Sequence, residues 1–139
     1  MLRGILTRGL LLGILAAPLG AVISATSAAA LSCAPGDIVV VQEKATPTTV
    51  PSGSEVSIVS SARNCTGATQ TVTVVSKRFS PDPCGNASST DSLTFSPHEF
   101  IKRTLTFPPA HCPGHWRFTL VLSQGSTRLS KSWADFTAL

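Results

Sequence analysis

The sequence predicts an all-β domain built as two packed sheets, preceded by a cleavable N-terminal leader. Three observations carry that prediction. After Cys33 the apolar residues fall in short alternating runs, rich in Val, Ile and Thr, which suits a pleated and half-buried surface. Pro, Gly, Ser and Asn punctuate those runs, and no segment shows a 3.6-residue period with helix caps. Four cysteines lie between the runs, in positions that can be tested against the strand order.

Ile38-Val39-Val40-Val41 is β-branched and too short for a helix, and Thr46-Pro47 and Pro51-Ser52-Gly53 follow it as turns. Val56, Ile58 and Ser60 alternate with Glu55, Ser57 and Val59 in a second strand, which ends at Asn64-Cys65-Thr66-Gly67. Gln70 to Val75 is the clearest strand and extends to Phe79, where Pro81 and Pro83 stop it. Leu93 and Phe95 mark a short strand before the Ser96-Pro97-His98 turn. Ile101, Leu105 and Phe107 share one face of the next run, ended by Pro108-Pro109. Trp116, Phe118, Leu120 and Leu122 alternate with Arg117, Thr119 and Val121, which assigns Trp116 to the core. Leu129 to Phe136 forms the last strand, with Trp133 expected in its packed face. Lys131 and Asp135 share the parity of Trp133, so it is also the aromatic to reach solvent if any does. About seven short strands at roughly ten-residue spacing give an immunoglobulin-like two-sheet sandwich.

Four cysteines allow three pairings, and strand alternation chooses among them. Successive antiparallel strands carry their loops to opposite ends of the sandwich. Cys33 precedes the first strand and Cys65 follows the second, so both sit at one end. Cys84 follows the third strand and Cys112 the fifth, so both sit at the other. A disulfide needs Cα atoms roughly 4.4–6.8 Å apart, which excludes pairs along the length of the domain. The expected bridges are Cys33–Cys65 and Cys84–Cys112, two staples between loops.

Residues 1–30 carry the parts of a secretory signal. Arg3 and Arg8 form a basic start, Leu10 to Ala17 an apolar stretch, and Ala28-Ala29-Ala30 a small-residue cleavage pattern. Pro18 and Gly20 break the apolar run short of the roughly 20 residues a membrane span needs. Lipidation of Cys33 fits less well: Ser32 suits that pattern, but Ala30 and Leu31 do not, and three cysteines would be left. The mature domain is therefore expected to be 31–139, secreted, with no stable membrane insertion once the leader is gone. The whole chain carries 11 basic and 7 acidic residues, a net +4. Losing Arg3 and Arg8 brings the mature part to +2, which with no tyrosine and only two basic doublets gives no signature of nucleic-acid binding.

No catalytic constellation stands out. No serine lies in a G-x-S-x-G context, and Asp82, Asp91 and Glu99 fall in or beside expected turns. His111-Cys112-Pro113-Gly114-His115 has the density of a metal site, but a bridged Cys112 would leave only His111 and His115, with His98 joining by tertiary accident. The expectation is a non-enzyme with no cofactor and no metal. Asn64-Cys65-Thr66 and Asn86-Ala87-Ser88 match the N-glycosylation pattern, and both fall in expected loops.

From about Asp37 to Phe136 the chain resembles the bacterial immunoglobulin-like domains of the cell-adhesion-related type. The likeness rests on Ser60-Ser61-Ala62-Arg63-Asn64 closing a strand, on Val72-x-Val74, and on Gly114-x-Trp116 opening a long alternating strand. The four loop cysteines lie outside the usual pattern of that family. The resemblance implies a binding or spacer module, whose expected partner is an extracellular protein or glycan, with the chain itself a monomer. Cys33-Ala34-Pro35-Gly36 is similar to a fragment of small secreted protease inhibitors. An inhibitor would need a rigid exposed loop, for which Ser80 to Ser89, tethered through Cys84, is the candidate.

Overall fold

The computed structural model describes residues 31–107 and 112–139; the leader and His111 lie outside the described residues. The described chain is all β: β1 (Val39–Thr46), β2 (Thr49–Val50), β3 (Val56–Asn64), β4 (Gln70–Phe79), β5 (Ala87–Phe95), β6 (Phe100–Phe107), β7 (Gly114–Gln124) and β8 (Thr127–Ala138). They form an immunoglobulin-like sandwich of a three-stranded sheet, β1-β3-β6, and a five-stranded sheet, β2-β8-β7-β4-β5. Eight strands stand where about seven were expected. The addition is β2, two residues long, after Pro47 interrupts the first strand and the chain crosses to the larger sheet. There it pairs parallel with β8.

Alternation decides what is buried. Val39, Val41 and Ala45 of β1, Val56, Ile58 and Ala62 of β3, Val72 of β4, Trp116 and Leu122 of β7, and Ala134, Phe136 and Ala138 of β8 all point between the sheets. Burying a side chain such as Phe136 contributes on the order of 2–3 kcal/mol. The apolar interior is in two parts. One gathers Trp116, Phe136, Ile58, Val56 and Cys112, with the Trp116 and Phe136 rings stacked 5.7 Å apart. The other gathers Val39, Val41, Val72, Phe95 and Leu122. Between them the inward positions turn polar: Glu43 stands between Val41 and Ala45 on β1, Ser60 between Ile58 and Ala62 on β3, and Ser76 beside Val74 on β4.

Cys33 is bonded to Cys65 and Cys84 to Cys112, with Cα atoms 5.8 and 6.0 Å apart. These are the pairs that strand alternation brings to the same end. The second bridge is part of the core, because Cys112 is buried and its carbonyl accepts the indole N–H of Trp116. Gly114 beside it has φ +130, and a Cβ there would lie 2.9 Å from Pro81 Cγ, so only glycine starts β7 at this point.

The two long sides of the sandwich differ. On one, β1 is tied to β8: the Val41 N–H donates to Ser130 Oγ and the Glu43 N–H to Ser132 Oγ. On the other, the sheets end in β6 and β5, which are joined by a tight turn but not paired to each other. In that turn the Glu99 N–H donates to Ser96 O, and His98 holds φ 57 where a type II turn ordinarily wants glycine.

Candidate binding surfaces

The outer face of the large sheet carries the aromatic cluster. Trp133 is 52% exposed and Phe79 45%. The expectation that Trp133 sits in the packed face is corrected: on β8 the inward residues are Ala134 and Phe136, so Trp133 faces out with Lys131 and Asp135. Register builds the cluster. Phe79 is opposite Arg117 and Arg117 opposite Asp135, while Thr119 is opposite Trp133. Arg117 donates from Nε and Nη2 to the two Asp135 oxygens at 2.6 and 3.0 Å. Its guanidinium carbon lies 5.9 Å from the centre of the Trp133 ring. The bonds from Arg117 hold the Asp135 carboxyl below the usual carboxylate range. His115 Nε2 is 3.5 Å from the same carboxylate. A planar cation is thus fixed in place against the exposed Trp133 ring, with Phe79 opposite it in the strand register, an arrangement suited to gripping a partner surface or a sugar ring.

The open side between β5 and β6 forms a second surface. Two adjoining cavities of about 390 and 310 Å³ run along it and share Ser60, Ser76 and Leu120 as walls. Their lining is mixed, with Ile101, Leu105, Phe118 and Leu120 beside Glu43, Arg78, Asp91 and Arg103. Glu43 accepts a hydrogen bond from Ser60 Oγ through one oxygen, while its other oxygen and Arg78 Nε are buried with no hydrogen-bond partner among the described residues. Burial pushes the Glu43 carboxyl up to about 7, against the lowering effect of the Ser60 hydroxyl. Leu105 points inward from β6 yet is 53% exposed, since no strand covers it from the side.

Other sequence expectations fall differently. Cys112 is disulfide-bonded, so no thiolate stands beside His115, which is exposed and faces Asp135. Among the described residues no three His, Cys, Asp or Glu side chains converge on a point. Asp91 is not beside a turn; it lies in the middle of β5, opposite Val74. The Ser80–Ser89 loop is shorter than expected, because Ala87, Ser88 and Ser89 belong to β5 and pair with Arg78, Lys77 and Ser76. What remains is a tight turn in which the Ser80 N–H donates to Asn86 Oδ1 and Ser80 Oγ to the Gly85 carbonyl.

Asn64 is likewise corrected. It is fully buried, not a surface glycan acceptor. Its Nδ2 donates to the carbonyls of Ala68 and Ser96, and its Oδ1 accepts from Thr66 N–H and Thr66 Oγ. It locks two loops together beside the Cys33–Cys65 bridge. Sequence reasoning passed over Glu43 and read Asn64 only as a candidate glycan acceptor. For Glu43 the usable signal was its place between Val41 and Ala45 in an alternating row.

No protein-family model matches the sequence, and no curated protein matches it significantly. Solved structures share its fold at low identity. A CARDB domain from Pyrococcus furiosus, in complex with di-metal ions, superimposes with a TM-score of 0.56 at 14% identity, over 72% of this chain and 91% of that one. A solution structure of a CARDB domain from the same organism gives 0.52 at 12% identity, over 74% and 97%. The Pseudomonas fluorescens alkylpurine DNA glycosylase AlkC, bound to DNA containing an abasic-site analogue, gives 0.55 at 15% identity over 74% of this chain. The chain spans about a third of the glycosylase, 31% of its length. The likeness is one of fold: the chain is built as a CARDB-like, immunoglobulin-like β-sandwich.

Proposed function

We propose that this chain is a secreted, non-enzymatic binding module of the bacterial immunoglobulin-like, cell-adhesion-related type, which grips an extracellular protein or glycan through the outer face of its large sheet. Export would remove residues 1–30 and leave 31–139 as the working domain. The observation that carries the reading is the Trp133–Arg117–Phe79 cluster. Large aromatic side chains and an arginine held in one orientation by Asp135 supply contact area at small ordering cost. The two disulfides support an oxidising compartment. The test is binding of the labelled mature protein, disulfides intact, to a glycan array and to the surface of producing cells. Trp133→Ala should weaken that binding by about thirtyfold, the effect of removing a binding hot spot worth roughly 2 kcal/mol. Binding untouched by both Trp133→Ala and Arg117→Ala would refute the assignment of this face. Stoichiometric titration of a secreted protease would favour an inhibitor instead.

A further inference from the structure

The small sheet stops at β6 while the large sheet continues to β5, so the inner face of β5 has no strand of this chain lying over it among the described residues. Ala87 to Ser92 are exposed on both faces for that reason. The inward row of β6 is Ile101, Arg103 and Leu105, set opposite Ala62, Ser60 and Ile58 of β3, and all three line the cavities on the open side. Arg103 makes no ion pair within 4.0 Å among the described residues, and Asp91 lines the same cavity from the other sheet. An inward-pointing charge on a free edge discourages indiscriminate strand pairing. It also selects, because a strand that brings the opposite charge to that position gains a cross-strand pair.

We propose that β6 is a docking edge for an extended segment of a partner protein, which adds as a fourth strand to the small sheet and covers the inner face of β5. The pattern of β6 dictates the pattern of the ligand. Residues opposite Ile101 and Leu105 are apolar and the residue opposite Arg103 is Asp or Glu, giving apolar-x-acidic-x-apolar. That motif reads the same in both chain directions, so it holds for parallel and antiparallel addition. Main-chain bonds along the edge supply affinity, and the alternate side chains facing the cavities supply specificity. This site is separate from the outer aromatic face and does not rest on it.

The test starts with the mature, disulfide-bonded protein panned against a phage-displayed library of random linear peptides about a dozen residues long. Enriched peptides should carry the apolar-x-acidic-x-apolar pattern, and on binding they should slow amide hydrogen exchange in β6. A blocked synthetic peptide centred on Val-Thr-Glu-Thr-Val should bind wild type at least about tenfold more tightly than its Lys-centred counterpart. Arg103→Glu should reverse that preference. Leu105→Asp, at an exposed position, should weaken binding by about tenfold or more, and Trp133→Ala should leave it unchanged. The proposal is overturned by failure to enrich any peptide, by enrichment without the pattern, or by a preference that Arg103→Glu does not reverse. Binding lost in Trp133→Ala would assign the peptides to the outer face and equally overturn it. So would concentration-dependent dimerisation that protects β6, which would make a second copy the occupant.

Discussion

Replacing Asn64 by Ala should destabilise this domain well beyond an ordinary surface change, and the structure says by how much. The side chain makes four hydrogen bonds from a site with no solvent exposure. Ala68 O retains Thr66 Oγ as a donor at 3.1 Å after the change, and the Thr66 hydroxyl still meets Gln70 Nε2. Ser96 O likewise keeps the Glu99 N–H as a donor, so the Thr66 N–H is the main-chain group left without the partner Asn64 gave it. One orphaned main-chain group and the loss of three further hydrogen bonds from a buried side chain, softened by water entering a loop near the surface, give a net loss of about 1–3 kcal/mol. With a urea dependence on the order of 2 kcal/mol per molar, the unfolding midpoint should fall by roughly 0.5–1.5 M under non-reducing conditions. Asn64→Asp should be no milder, because it keeps the acceptor but aims a carboxylate at two carbonyl oxygens. Asn86→Ala, at an exposed turn, is the control and should shift the midpoint far less. A loss below about 0.5 kcal/mol for Asn64→Ala, the size of an ordinary surface change, would refute the reasoning.

Glu43 sets a pH dependence whose sign follows from its raised value. The folded carboxyl titrates at about 7 against an ordinary 4.5, so between those values the native state holds a proton that the unfolded chain has released. Stability should be highest near and below pH 4.5, decline as pH rises to about 7 and then level. Glu43→Gln should flatten that slope and stabilise the protein at pH 8 by about 1–2 kcal/mol after allowance for solvent screening; an unchanged slope would show that Glu43 is not its source. Each disulfide closes a loop, with sequence separations of 32 and 28, worth roughly 3–4 kcal/mol in the chain-entropy model. Replacing Cys84 and Cys112 with Ala should cost more than replacing Cys33 and Cys65, because Cys112 also packs in the core; equal losses in thermal unfolding would contradict that. Trp133→Ala should change stability by less than about 1 kcal/mol, measured in the same urea titration, because its side chain is half exposed on the outer face.

Strands with one apolar face were legible in the sequence. Val72 and Val74 of β4, and Trp116 to Leu122 of β7, alternate plainly, and from their directions the cysteine pairs follow. The rest was hidden for physical reasons. β5 is exposed on both faces through Ala87–Ser92, so its Ser, Thr and Asp residues carry no alternation, and only its last residues showed. The second half of β1 was obscured because Glu43 occupies an inward position. β2 is two residues long and defined by its pairing with β8, a partner distant in sequence. Half of the outer cluster was readable in the parity that Trp133 shares with Asp135. That Phe79 and Arg117 lie in the same row depends on the register between β4, β7 and β8, which one strand's sequence does not contain.

The placement of the two disulfides determines how this domain meets mechanical force. β1 leaves the end stapled by Cys33–Cys65, and β8 arrives at the end stapled by Cys84–Cys112, so a pull on the two ends runs along the strands. β1 and β2 lie within the loop that Cys33–Cys65 closes, so tension passes from Cys33 to Cys65 through the bridge and bypasses the β2–β8 contact. Even after the strands part, the disulfides keep residues 33–65 and 84–112 from paying out. The tether then lengthens only through the unbridged segments, and the domain behaves as a stiff link with a short, fixed reserve of extension.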